Sequence, residues 1–252
     1  QLIFERYRRI PGAIRVAILE PILQFWPKAL DVWLTRKARG YIEKANVPLP
    51  ARLESWNIAY RLGVDAMLHP ERAAAIDIDR PFETMQEVWD STPSDNVLQR
   101  LLYYDWQYTL ADNDLRKVET TCAAAGIQVS YPMLHPAVVD FATQIPPALM
   151  MPNGRLRDFY KRAMRGFLPD AIVDKKKHGF GLPFGLWLRD SERLRDLVFS
   201  NLQSLRRRRW IRDSFIDRLL SLHANEDARY FGVMIWVLAM LEQWFQEHDV
   251  SV

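Results

Sequence analysis

Between Asp174 and Leu188 the chain reads DKKKHGFGLPFGLWL, three lysines running into two glycines that bracket one aromatic residue. Each part suits an anion. Lys175, Lys176 and Lys177 concentrate positive charge, and Gly179 and Gly181 carry no Cβ, so a ligand can approach the backbone closely. Pro183 marks a helix start, where unpaired N–H groups would face the same anion. The combination fits a polyphosphate or acyl phosphate. It is not a Walker loop, because the order G-x-x-x-x-G-K-[ST] is absent. A competing reading covers part of the stretch: a helix beginning near Pro169 would end in Lys175 and Lys176, whose charge complements the negative end of its dipole. That reading leaves the glycines unexplained.

A second basic element lies just upstream, in NGRLRDFYKRAMRGFLP. Arg157, Lys161 and Arg165 fall four apart, so a helix would stack them on one face, with Leu156, Phe159, Ala163 and Phe167 on the apolar face opposite. The basic face is either a solvated surface or a cationic wall turned towards the same anion as Lys177. Further upstream, DNDLRKVETTCAAAGIQVSYPMLHP offers the carboxylates of Asp114 and Glu119 and the only cysteine, Cys122. Nothing local supplies Cys122 with a base, so it reads as an inert thiol. The small residues Ala123 to Gly126 would let a helix end pack closely. The run RRRRW, Arg206 to Trp210, reads as a solvated turn between two helices. The five histidines, at 69, 135, 178, 223 and 248, have no metal-ligand spacing.

The elements that must position these residues are helical almost throughout. Ile14, Ile18, Ile22 and Phe25 share one face of a helix that Pro21 interrupts, and Pro27 opens another. Pro50 starts a segment with the stripe Leu53, Trp56, Tyr60 and Val64. RPFETMQEVWD and SDNVLQRLLYYDWQYTL follow as helices, each behind a start signal. A closing helix around Tyr230 to His248, apolar on nearly all sides at first, is suited to plugging the core. Only Gly126 to Leu134 could form a short strand, or else a loop. The fold class is therefore mainly α with little or no sheet, and residues 1–252 are read as one domain portion.

Composition narrows the function classes. A net charge of +3 makes the whole protein an unlikely match for nucleic acid, so no nucleic-acid partner is expected. One cysteine excludes an intramolecular disulfide and fits a reducing, cytoplasmic setting. The longest apolar run, Tyr230 to Leu241, is well short of the roughly twenty residues of a membrane span. No membrane partner is expected. A start at Gln1 suggests the tail of a longer polypeptide.

Taken together and in this order, KVETTCAAAGIQVSYPML, RDFYKRAMRGFLP, KKKHGFGLPFGLWL and GVMIWVLAMLEQWFQEH resemble the synthetase domain of the asparagine synthetase family, which includes the glutamine-dependent asparagine synthetases and the β-lactam synthetases. The resemblance is firm from about Asp105 onward, and FERYRRIP near the start is similar to the segment that follows the family's G-D-E-L-F-G-G motif. It implies a ligase that activates a carboxylate with ATP and Mg as an acyl-adenylate, which ammonia from glutamine or an internal amine then attacks. The family's K-x-G-F lysine corresponds to Lys177, which the resemblance makes catalytic. Gly179, Phe180, Arg157 and Lys161 are implied on the phosphate side, and Glu119, Gln128 and Ser130 on the substrate side.

The chain also departs from the family pattern. The S-G-G-x-D-S loop and the G-D-E motif have no counterpart, and both normally lie upstream. The expected partner is thus the missing N-terminal half of the domain. Its removal should leave an apolar surface around the N-terminal helices, or drive self-association into a homo-oligomer. Within the covered region E-V-R-x-P-f-L-D reads Gln128-Val129-Ser130-Tyr131-Pro132-Met133-Leu134-His135, and K-V-D-R has Glu119 and Thr120 in its last two places.

Overall fold

The computed structural model describes residues 1–24, 33–176, 179 and 181–248. Helices dominate, as the periodicity implies, and the described residues contain no strand. Extended pairing is limited to two isolated bridges, Leu68 with Ile211 and Arg165 with Leu168. The segment Gly126 to Leu134 is accordingly a loop that ends in a 3-10 turn at Pro132–Leu134. No helix among the described residues is long and apolar enough to cross a membrane.

The chain divides into two compact units. The first comprises Gln1–Pro50 and Thr84–His178. Its apolar cluster is small: Phe4, Tyr7 and Ala45, with Ile10, Leu19, Tyr41 and Ile42 packed against them. Pro21 does not break its helix as expected. A π-helical stretch, Arg15–Leu19, leads directly into Glu20–Gln24, and this wider coil relieves the clash that a proline ring makes with the turn before it. The Ile14, Ile18 and Ile22 stripe is there but points outward, and each of these residues is exposed by more than 40%. Phe25 and Pro27 lie outside the described residues. Farther on, Val97–Tyr104 passes through a second π-helical stretch, Asp105–Leu115, into Arg116–Ala124 without interruption.

The second unit comprises Ala51–Glu83 and Gly179–Val252. The stripe expected from Leu53 to Val64 is broken there into a 3-10 turn and two short helices, because Asn57 caps a new helix and Gly63 takes φ +95°. The closing helix, Ala228–Glu247, does plug a core. Phe231, Ile235, Leu238, Glu242 and Phe245 recur at helical spacing and are buried against Phe184–Asp190, Glu192–Arg207 and Asp213–Asn225. Its start is fixed by Asp227, whose carboxylate accepts the Tyr230 N–H at 3.0 Å.

Two glycines set how closely the helix after the lysine loop meets this core. A Cβ on Gly185 would lie 1.7 Å from the Ala228 carbonyl oxygen, and one on Gly232 would lie 2.2 Å from the Gly185 Cα. Both obstacles are backbone, so neither can swing aside. His223 Nε2 also lies 2.9 Å from the Gly185 carbonyl oxygen, fixing the crossing further. Gly185→Ala should lower stability by about 2–3 kcal/mol through overpacking, whereas Gly181→Ala, with nothing within 4 Å of its Cβ, should melt like the parent. Denaturant titration of the two variants checks this.

Candidate functional site

Along the chain, a short helix precedes the lysines and another follows them. Asp170–Val173 is a single turn that stops at Asp174, before the lysines. Arg165 grips its two ends, 3.4 Å from Asp170 and 2.9 Å from Asp174. With so short a helix the dipole has little to offer Lys175 and Lys176. Both side chains are exposed and have no carboxylate partner among the described residues. Lys177, His178 and Phe180 lie outside those residues. Gly179 and Gly181 are described, and a Cβ at either would meet nothing within 4 Å. Packing within the chain therefore does not demand these two glycines, unlike Gly185. The helix behind Pro183 is real but covers only Phe184–Asp190.

The expected wall of Arg157, Lys161 and Arg165 does not form. The helix is Asp158–Ala163, so it contains Lys161 alone of the three. Arg157 precedes it in the left-handed region, at φ +59°. Arg165 follows it and is engaged with Asp170 and Asp174. The organising residue is Asp158, whose side chain is 11% exposed and is held by Arg155 at 3.2 Å and Arg162 at 2.7 Å. The spacing R-x-x-D-x-x-x-R carried that signal. The apolar face is not buried either: Leu156 and Phe167 are exposed, the latter by 81%, and Phe159 meets Phe141 at 6.2 Å between ring centroids.

On the substrate side, Arg116–Ala124 puts Glu119 and Cys122 one turn apart on one face. The helix ends in a Schellman closure: the Gly126 N–H donates to Ala123 O at 3.0 Å and the Ile127 N–H to Cys122 O at 2.8 Å. Gly126 takes φ +68° to make this turn, and a Cβ there would meet nothing. The small residues thus reverse the chain instead of packing against a neighbour. The reversal brings Tyr131 back beside Glu119 and Cys122. Burial of its hydroxyl, and then the nearby Glu119 carboxylate, raise the phenol pKa. That hydroxyl is buried and has no hydrogen-bond partner among the described residues. Gln128 and Ser130 sit exposed on the intervening loop, and no described hydrogen bond joins them to Glu119. Tyr131 was not singled out by the sequence; the A-A-A-G-I ending, read as a close-packing helix end, is the signal of the turn that returns it.

His135 stands where the family pattern has aspartate. Its Nδ1 accepts the Ala137 N–H at 3.3 Å and caps Pro136–Thr143. Aspartate performs the same service at helix starts, so this change preserves a local structural role. The described residues do not fit a magnesium site, since no group of three or more His, Cys, Asp or Glu among them could hold a metal ion.

Comparison with known proteins agrees with these features. The chain is 23% identical over 155 residues to asparagine synthetase [glutamine-hydrolyzing] 1 of Bacillus subtilis (strain 168), covering 62% of this chain and 24% of that protein. It is 22% identical over 177 residues to a putative asparagine synthetase [glutamine-hydrolyzing] of Mycobacterium bovis, covering 69% of this chain and 26% of that one. The chain thus spans about a quarter of the length of the curated relatives it matches. No solved structure matches it significantly. The asparagine synthase family model matches residues 4–246. That match takes in both the lysine loop and the closing helix, and the chain belongs to the asparagine synthase family.

Proposed function

We propose that this chain is the helical part of a synthetase domain that joins an amine to a carboxylate activated by ATP as an adenylate. The observation that supports this most is the family match over residues 4–246, which takes in the lysine loop; a Cβ on Gly179 or Gly181 would meet nothing within 4 Å among the described residues. Lys177 occupies the family's lysine position in that loop. An ammonium group there would hold the negative charge that builds on the phosphates as the acyl group departs. Arg157 and Lys161 would add positive charge. Glu119, Gln128 and Ser130 would face the carboxylate substrate. Gln128 and Ser130 offer neutral hydrogen bonds where the family has Glu and Arg, which favours a substrate other than aspartate.

The same two changes favour a second reading, a module that keeps the fold and has lost the chemistry. The test is pyrophosphate release by a polypeptide joining this chain to S-G-G-x-D-S and G-D-E segments. Release that depends on an added carboxylate supports the ligase. No release from that folded polypeptide across a panel of carboxylates supports the module. The 252-residue chain alone, lacking both segments, should release none.

A further inference from the structure

We infer that the second unit carries an oxyanion site for a phosphate group, built around Arg206, Arg209 and Arg212 and separate from the lysine loop. These arginines line one cavity of about 390 Å³ together with His69, Asp213 and Ser214. Three guanidiniums meet Asp213 in that lining and Asp217 beside it, which leaves a formal charge of +1.

The cavity is held rigidly. The Leu68–Ile211 bridge ties its two sides, with the His69 N–H donating to Trp210 O and the Arg212 N–H to Met67 O, each at 2.9 Å. Arg212 Nε adds a bond to Leu68 O at 2.7 Å. Arg206 is the guanidinium that answers the carboxylates, pairing with Asp213 and Asp217. Arg209 and Arg212 have no carboxylate partner among the described residues.

Two buried donors point the same way. Arg209 Nη2 lies 3.2 Å from His69 Nε2. A guanidinium can only donate, so Nε2 accepts and the ring proton sits on Nδ1. That Nδ1 and Arg206 Nε are both buried and have no partner among the described residues. A buried donor left unmade costs far more than a typical hydrogen bond returns, and both belong to residues lining this cavity. Donors without acceptors, beside unanswered positive charge, call for an acceptor-only ligand. The helix Asp213–Asn225 adds its start, whose first N–H groups have no side-chain cap. A phosphate group, whether free or carried on a small ester, has the charge and the oxygens for this set.

Calorimetric titration of the full chain with inorganic phosphate and, separately, with glycerol phosphate tests the assignment, with melting curves alongside. One saturable site is expected. Arg209→Gln removes an exposed side chain with no carboxylate partner and should weaken binding about tenfold. Arg207→Gln, one residue from Arg206 and outside the lining, should bind like the parent. Tighter binding of the ester would name the ester as the source, and equal binding would name free phosphate. A folded chain that shows no saturable binding, or equal weakening by Arg207→Gln and Arg209→Gln, would overturn the site.

Discussion

Arg208→Met should destabilise the second unit by about 3–5 kcal/mol, the range for breaking a buried ion pair from one side. Arg208 Nε donates to Glu242 Oε2 at 2.6 Å, and Glu242, on the closing helix, is only 1% exposed. Gln246 Nε2 donates to the other carboxylate oxygen at 2.9 Å. The guanidinium also lies over the Phe245 ring, 5.1 Å from its centroid. Without Arg208 the buried carboxylate keeps, among the described residues, one neutral donor, Gln246. The charge, more than the lost volume, sets the size of the effect. Arg208→Met combined with Glu242→Leu should therefore recover most of the loss, because apolar replacement of a whole buried pair is often close to neutral. Denaturant titration of the single and double variants decides it. A double variant as unstable as the single would mean that packing, not the stranded charge, governs the position.

That ion pair shows why some of this molecule was legible in the sequence and some was not. The closing helix was legible because its buried residues recur along one stretch of chain. RRRRW read as a solvated turn because a run of like charges suggests one. In fact Arg208 finds Glu242 thirty-four positions away, and Arg206 finds Asp213 and Asp217 on the next helix. Local pattern does not show partners supplied by another helix. The Arg157, Lys161 and Arg165 spacing misled for a related reason. Spacing by four implies a shared face only if one helix spans all three residues. Here Arg157 takes the left-handed region directly before Asp158 and Gly166 does so beyond Ala163, and the helix covers only Asp158–Ala163.

The glycines of GFGLPFGLWL were legible as a group but not in their division of labour. Gly185 is required by its crossing with Gly232, a contact made only when the chain has folded. Gly179 and Gly181 have no such obligation. The loop and its following helix were readable from Gly and Pro alone. The π-helical stretches were not, because no residue type marks them as Gly and Pro mark turns.

Lys177→Ala should slow acyl transfer about a hundredfold while leaving stability nearly unchanged. One preorganised charge acting on a transition state contributes on the order of 3 kcal/mol. A lysine in a glycine-flanked loop contributes little packing, so the folding cost should stay within about 0.5 kcal/mol. Lys175 provides the internal control, since it is exposed and sits beside the Asp170–Val173 turn. Its charge is two residues removed from the family's lysine position, and Lys175→Ala should keep nearly the full rate. The decisive measurement compares carboxylate-dependent pyrophosphate release by Lys177→Ala and Lys175→Ala, in the polypeptide that also carries the S-G-G-x-D-S and G-D-E segments, with melting curves for both. A hundredfold loss confined to Lys177→Ala, with matching melts, is the result this account predicts. Equal losses in the two variants, or an unfolded Lys177→Ala protein, would contradict it.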